Sequence, residues 1–225
     1  MTQAQTQRYD DTFDGLADAM KGETWDLHKQ AEKTGIMADM FKGRASRESY
    51  VLFMRNLLPI YRTLEAATSA LEAFPTMQYG FTPALYRAPA LEQDLAALSS
   101  PAALKALPFL RSAQRYCKDI ELSVEADPAA LLGHIYVRYL GDLYGGQTLA
   151  KVLERTLHLP PEGLSFYDFR AAGELIDVRS RFRHSLNDLR VTSAQKDAAV
   201  AAALSAFQFN IDVSEEVSAS IVQDV

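Results

Sequence analysis

Apolar residues recur at three- and four-residue spacing along most of this chain, the pattern of helices that each bury one face. From Ser46 onward Tyr50, Phe53, Met54, Leu57, Tyr61, Leu64 and Leu71 form one stripe, which predicts a long helix that Pro59 should kink or split. An earlier helix is predicted from about Asp11 to Lys33 with Gly35 as its stop, and a shorter helical piece from about Pro83 to Leu98. Asp127 followed by Pro128 supplies an N-cap and a first-turn proline for a helix reaching about Leu157, where Pro160 and Pro161 end it. Two further helices are predicted, from about Phe166 to Leu189 and from about Ser193 to Val213. Convincing alternating strands, repeats, low-complexity tracts and long linkers are absent from the sequence. One all-α domain over residues 1–225 is therefore expected, with about 1–9 and 214–225 as flexible tails.

Composition narrows the class. A chain of 225 residues, 48% apolar and 23% charged, can bury a sizeable core without staples. A net charge of -6 argues against wholesale nucleic-acid binding, which needs a basic footprint. The single cysteine, Cys117, excludes an internal disulfide framework and fits a reducing compartment. The opening MTQAQTQRYDDTFDG lacks the basic-then-apolar layout of a secretory signal, and no apolar run approaches the roughly 20 residues that span a bilayer. A cytoplasmic protein with neither nucleic-acid nor membrane partners is expected.

One stretch works against its own helix. YVRYLGDLYGGQ, residues 136–147, carries Gly141, Gly145 and Gly146 inside an apolar-periodic run, each costing roughly 1 kcal/mol relative to alanine. Gly141 and Gly145 stand one turn apart on one face, with Gly146 beside them. They fit either a tightly packed neighbouring helix or a flat, bulky ligand with bare backbone as its wall. Asp142 can be an acid at such a site or simply the partner of Arg138 one turn earlier.

Of the four histidines, His28 lies within a predicted helix with Glu32 at i+4. That spacing lets the carboxylate accept a hydrogen bond from one ring nitrogen while the other faces a metal; a structural histidine on an amphipathic helix is the alternative. His134 fits a hydrogen-bonded core or rim position, His158 a helix end, and His184 an exposed site in a basic cluster. A di-iron bundle needs Glu-x-x-His pairs, and no histidine here has a glutamate three residues before it.

YVRYLGDLYGGQ closely resembles the signature of the haem oxygenase family, in which the corresponding helix crosses the distal face of haem. WDLHKQAEKTGIMADMFKGR (25–44) resembles the family's proximal-helix segment, and the run to Tyr61 and Glu65 continues it. GLSFYDF (163–169), VRSRFRHSLNDL (178–189) and AFQFN (206–210) fall in the order of further family segments. The resemblance covers most of residues 14 to 213 and is weakest between about Phe74 and Ile120.

The resemblance implies a single-domain helical bundle with haem b sandwiched between a proximal helix and the glycine-rich distal helix. Haem would be both substrate and cofactor, cleaved at a meso carbon (the α edge by default) to biliverdin, carbon monoxide and ferrous iron. Dioxygen and an electron donor such as ferredoxin or a flavin reductase would take part. It makes His28 the axial ligand of the iron and Glu32 its hydrogen-bond partner. Asp142 would act through ordered water, with Arg138, Tyr61 and Asn210 completing a distal network. Lys21, Arg179 and Arg183 would steer the propionates. Met37, Met40 and Phe41 would form an apolar floor, with Tyr136, Tyr139 and Phe209 as packing or pocket wall. Tyr144 departs from the family pattern, where serine is usual; a phenol there would crowd the distal rim or alter regioselectivity. A haem-delivery protein without turnover and a haem-free helical interaction module are the alternatives from other functional classes.

Overall fold

The computed structural model describes residues 15–222, all of whose regular elements are helical. In chain order they are α1 (Leu16–Ala31), α2 (Gly35–Phe41), α3 (Arg47–Ala66), α4 (Met77–Gly80), α5 (Ala88–Leu98), α6 (Pro101–Ala106), α7 (Arg111–Ala126), α8 (Ala130–Ile135), α9 (Gly141–Leu157), α10 (Leu175–Asn187) and α11 (Ser193–Val222). A π-helical turn, Tyr136–Leu140, joins α8 to α9, so the chain is helical without a break from Ala130 to Leu157.

The predicted stripe becomes α3, whose Tyr50, Phe53, Met54, Leu57, Tyr61 and Leu64 are all buried. Ser46 opens it with a reciprocal cap: the Ser49 amide donates to Ser46 Oγ at 3.1 Å and the Ser46 amide to Ser49 Oγ at 3.0 Å. Pro59 does not split this helix, which runs on to Ala66. The proline deletes one backbone hydrogen bond, and burial of α3 against α5, α7 and α11 outweighs that loss.

Several predicted boundaries move. The stretch of the first predicted helix before Gly15, and the tail predicted at 1–9, lie outside the described residues. Gly35 ends nothing; at φ +52° it turns the chain and begins α2. No tail begins at 214 either. Ser214 is fully buried: its Oγ donates to the Thr34 carbonyl at 2.8 Å and accepts from the Met37 amide at 3.0 Å, so α11 caps the start of α2. Helix α7, where no element was predicted, is amphipathic, burying Ala113, Tyr116 and Ile120.

Helix α11 organises the bundle, packing on α8, α1, α7, α2 and α3. Its contact with α8 is close because Ala199, Ala202 and Ala203 face Gly133. A Cβ on Gly133 would collide with the Ala199 carbonyl and come 2.7 Å from the Ala203 amide. Gly22, in α1, has no atom within 4 Å of its would-be Cβ. Gly133→Ala is thus expected to destabilise the fold by about 1–3 kcal/mol, and Gly22→Ala to stabilise it by about 0.5–1 kcal/mol. Urea denaturation of the two variants tests that contrast.

Candidate functional site

Helices α1 and α9 face each other across a cavity of about 530 Å³, a size suited to one sizeable small molecule. Helix α1 contributes Lys21, Thr24, Trp25, His28 and Glu32; α2 contributes Met37 and Phe41; α11 contributes Phe207, Asn210 and Val213. Arg138, Gly141, Asp142, Tyr144, Gly145 and Gly146 form the opposite wall, and Arg183 of α10 completes it. Phe166 and Tyr167 arrive from the segment after α9. Asp94 fixes that segment by accepting the Ser165 and Phe166 amides at 2.7 and 2.9 Å. Arg87 fixes it too, donating to the Asp168 carbonyl at 2.7 Å and stacking 4.1 Å above the Phe169 ring.

The glycines now have a structural reason. A Cβ at Gly141 or Gly145 would meet no atom within 4 Å, so both present bare backbone to open cavity. Gly146 differs: its Cβ would lie 3.0 Å from a Tyr167 ring carbon, which packs there. Close helix packing explains Gly133, whereas room for a ligand explains Gly141 and Gly145. The π-helical turn immediately before Gly141 widens the helix where it enters the wall, a device concentrated at functional sites.

Across the cavity, His28 Nε2 lies 3.9 Å from the Glu32 carboxylate, while Nδ1 is buried without a hydrogen-bond partner. The ring stacks on Trp25 (5.8 Å, 8°) and meets the edge of Phe207 at 5.7 Å. One ring nitrogen lies near a carboxylate and the other has no hydrogen-bond partner, so this histidine could serve as a metal ligand. Among the described residues no group of three or more His, Cys, Asp or Glu could hold a metal ion. A lone histidine suits a macrocycle that brings its own equatorial nitrogens.

A polar network backs the glycine wall. Tyr61 donates its hydroxyl proton to Asp142 and accepts from Arg138 Nε and Nη2 at 3.2 and 2.9 Å. Arg138 Nη1 donates to Asn210 Oδ1 at 2.7 Å and its Nη2 lies 4.0 Å from Asp142. Burial raises the Asp142 carboxyl to about 6, against the opposing pull of Arg138 and the Tyr61 hydrogen bond. Burial also disfavours the Arg138 cation, yet Tyr61 and Asp142 around it hold its proton more firmly than usual. Burial pushes the Tyr61 phenol well above its ordinary range, so it stays neutral. Behind Tyr61, Tyr139 donates to Glu65 at 3.1 Å, and Glu65 accepts the Ala88 amide at 3.0 Å.

Lys21, Glu32, His28, Met37, Arg138, Gly141, Asp142, Gly145, Gly146, Arg183 and Asn210 thus meet at one cavity, as the sequence reading expects. Tyr61, fully buried behind the wall, hydrogen-bonds Asp142 and Arg138 and reaches the cavity through them. Three expectations are corrected. Phe209 stacks on Tyr116 at 5.2 Å, away from the cavity; two residues along a helix turn a side chain through about 200°, and Phe207 is the lining aromatic. Arg179 is tied to the Leu143 carbonyl instead of facing the cavity, its Nε donating at 2.8 Å. Met40 is fully buried in the core, while Met37 and Phe41 line the floor.

Sequence reasoning also missed Trp25, Phe166, Tyr167 and Phe207. The i, i+3 spacing of Phe207 and Asn210 is the signal that could have found Phe207. The remaining histidines lie elsewhere. His134 is buried 3.0 Å from Ser123 Oγ, and burial lowers it to about 4; His158 ends α9 at φ 50°; His184 is exposed.

Comparison with known proteins agrees with this geometry. A family model described as Heme oxygenase matches residues 14–216. Heme oxygenase 1 of Homo sapiens is 34% identical over 212 residues, covering 93% of this chain and 74% of that protein. The crystal structure of heme oxygenase-1 from the cyanobacterium Synechocystis in complex with heme has a TM-score of 0.85 at 27% identity, covering 93% of this chain and 95% of that one. The structure of heme oxygenase from Leptospira interrogans has a TM-score of 0.81 at 29% identity, covering 90% and 99%.

The distal network makes a pH prediction. Asp142 is neutral below about 6 and ionised above it, and Arg138 favours the ionised form. Removing that cation in Arg138→Met is expected to move the Asp142 midpoint upward, and Asp142→Asn to abolish the transition. Carboxyl-carbon NMR across the titration is the check.

Proposed function

Because this chain belongs to the haem oxygenase family and is a haem-degrading monooxygenase that forms biliverdin, we propose that its cavity holds haem between His28 and the bare backbone of Gly141 and Gly145. Haem is at once substrate and prosthetic group, supplying redox-active iron and the meso carbon that is oxidised. The observation that carries the reading is the pairing of an unsatisfied buried Nδ1 on His28 with open space over two glycines on the opposite wall.

His28 offers one ring nitrogen to iron while Glu32 accepts from the other, fixing the ring's tautomer and orientation. Gly141 and Gly145 leave room for dioxygen beside the porphyrin plane. Asp142, ionised above about pH 6, accepts from Tyr61 and orders water at the wall, from which protons are delivered. Tyr61 is a positioning residue: it holds Asp142 and shares Arg138 with Asn210. Among the described residues the side chains nearest the two glycines are few, which leaves space for water to carry the proton.

Lys21 and Arg183 flank the cavity and suit the two carboxylates of haem. Arg183 is held by Asp18, which also accepts from Asn187 at 2.9 Å, so this cation is fixed in place. With those carboxylates anchored, the α meso edge is the one we expect to be cleaved. The cations also suit docking of an acidic electron donor such as ferredoxin, or of a flavin reductase. Among the described residues no helix is long and apolar enough to cross a membrane. The single Cys117 fits the reducing cytoplasm, where we place the reaction.

The test is a hemin titration followed in visible light and by the fluorescence of Trp25, the only tryptophan and part of the cavity lining. We expect one equivalent of hemin to quench Trp25 and raise a Soret band, then biliverdin to form once an electron donor and air are added. His28→Ala is expected to lose tight binding, and Glu32→Gln to weaken it roughly 10–100-fold. Asp142→Ala should bind hemin yet form biliverdin roughly a hundredfold more slowly. Full turnover by Asp142→Ala would remove that residue from the mechanism.

A further inference from the structure

Arg179 is the one cation assigned by sequence to the cavity rim that the structure turns elsewhere. Its Nε donates to the Leu143 carbonyl at 2.8 Å and its Nη2 donates to the same oxygen. The guanidinium carbon lies 4.8 Å from the centre of the Tyr144 ring, a cation–π arrangement. Tyr144 itself lines the cavity and is 52% exposed. A half-exposed phenol on a helix ordinarily exchanges rotamers freely. Here one ring face is covered by a planar cation that two donors pin to the carbonyl of the neighbouring residue.

Both contacts reach from α10 to the two residues that precede Gly145, on a wall with little side-chain mass of its own. The ring is therefore held by another helix. A methionine or lysine in place of Arg179 could not reproduce this, because it lacks the flat fork that donates twice while stacking.

We propose that Arg179 is a positioning residue that holds Tyr144 across the cavity mouth, where the ring limits in-plane rotation and escape of the macrocycle, while Lys21 and Arg183 alone serve its carboxylates. The proposal rests on the reading of the cavity as a haem site. The four meso carbons of haem differ chiefly in their position relative to the two carboxylates. Rotation of the ring within its plane therefore changes which edge faces the glycine wall. A fixed aromatic wall at the mouth and two cations beside it constrain that rotation from different sides. Tyr144 is in this sense a specificity-determining residue for the reaction.

The experiment is a double-mutant cycle on hemin release. Arg179→Lys, Tyr144→Ala, the double variant and Tyr144→Phe are loaded with hemin, and its transfer to excess apomyoglobin is timed. Biliverdin isomers are resolved by chromatography after turnover. We expect Arg179→Lys and Tyr144→Ala each to release hemin roughly fivefold to tenfold faster and to yield mixed isomers. The double variant should be no faster than either single one, and Tyr144→Phe should behave as the unaltered chain, since it keeps the ring. An Arg179→Lys variant that matches the unaltered chain, or rate effects that multiply in the double variant, would overturn the proposal and return Arg179 to the carboxylates. If the unaltered chain takes up no hemin, with no Soret band and no quenching of Trp25, the haem reading itself falls and this inference with it.

Discussion

A guanidinium taken out of water must be surrounded by acceptors, and the site is built around that demand at Arg138. The cation lies among α3, α9 and α11, with Tyr61, Asp142 and Asn210 as its partners. An ion pair at this depth is a poor source of net stability, but removing one member would strand the other. Its consequence is geometric. Three helices are held at one distance and rotation, and Asp142 is aimed by groups that cannot relax independently.

The two walls of the cavity are built on different terms. The α1 side is dense with side chains: His28 is gripped between Trp25 and Phe207 and backed by α11. The α9 side is thin, with two glycines open to the cavity and a π-helical turn next to them. A helix so weakened needs support from outside itself, and it comes from behind. Tyr61 and Asn210 hold its first residues through Arg138, Tyr167 packs on Gly146, and Arg179 holds the Leu143 carbonyl.

Much of this was legible in the chain itself, for identifiable reasons. Long helices with three- and four-residue apolar spacing announce themselves, and α3 follows its stripe from Tyr50 to Leu64. The ligand reading of Gly141 and Gly145 was open from spacing alone, since a glycine left bare for a ligand and one left bare for a helix look alike in sequence; Gly133 is the second kind. Phe209 reads as packing or pocket wall from the resemblance of its segment; helical phase makes it packing and turns Phe207 to the cavity. Arg179 could not have been placed, as its partner is a backbone carbonyl and leaves no trace in residue identity. Neither the π-helical turn nor the continuity of α3 through Pro59 has a local signature; both are decided by what packs against them.

Ser214 gives the fold an order in time. Its hydroxyl closes the first turn of α2 by bonding Thr34 and the Met37 amide, partners 180 and 177 residues earlier in the chain. During synthesis, then, the segment that forms the cavity floor leaves the ribosome long before the residue that caps it. That capping contact can form only after the chain has emerged through Ser214. A contact this distant is among the slower ones to form. A nascent chain that stops short of Ser214 therefore lacks the bonds that close the start of the cavity floor.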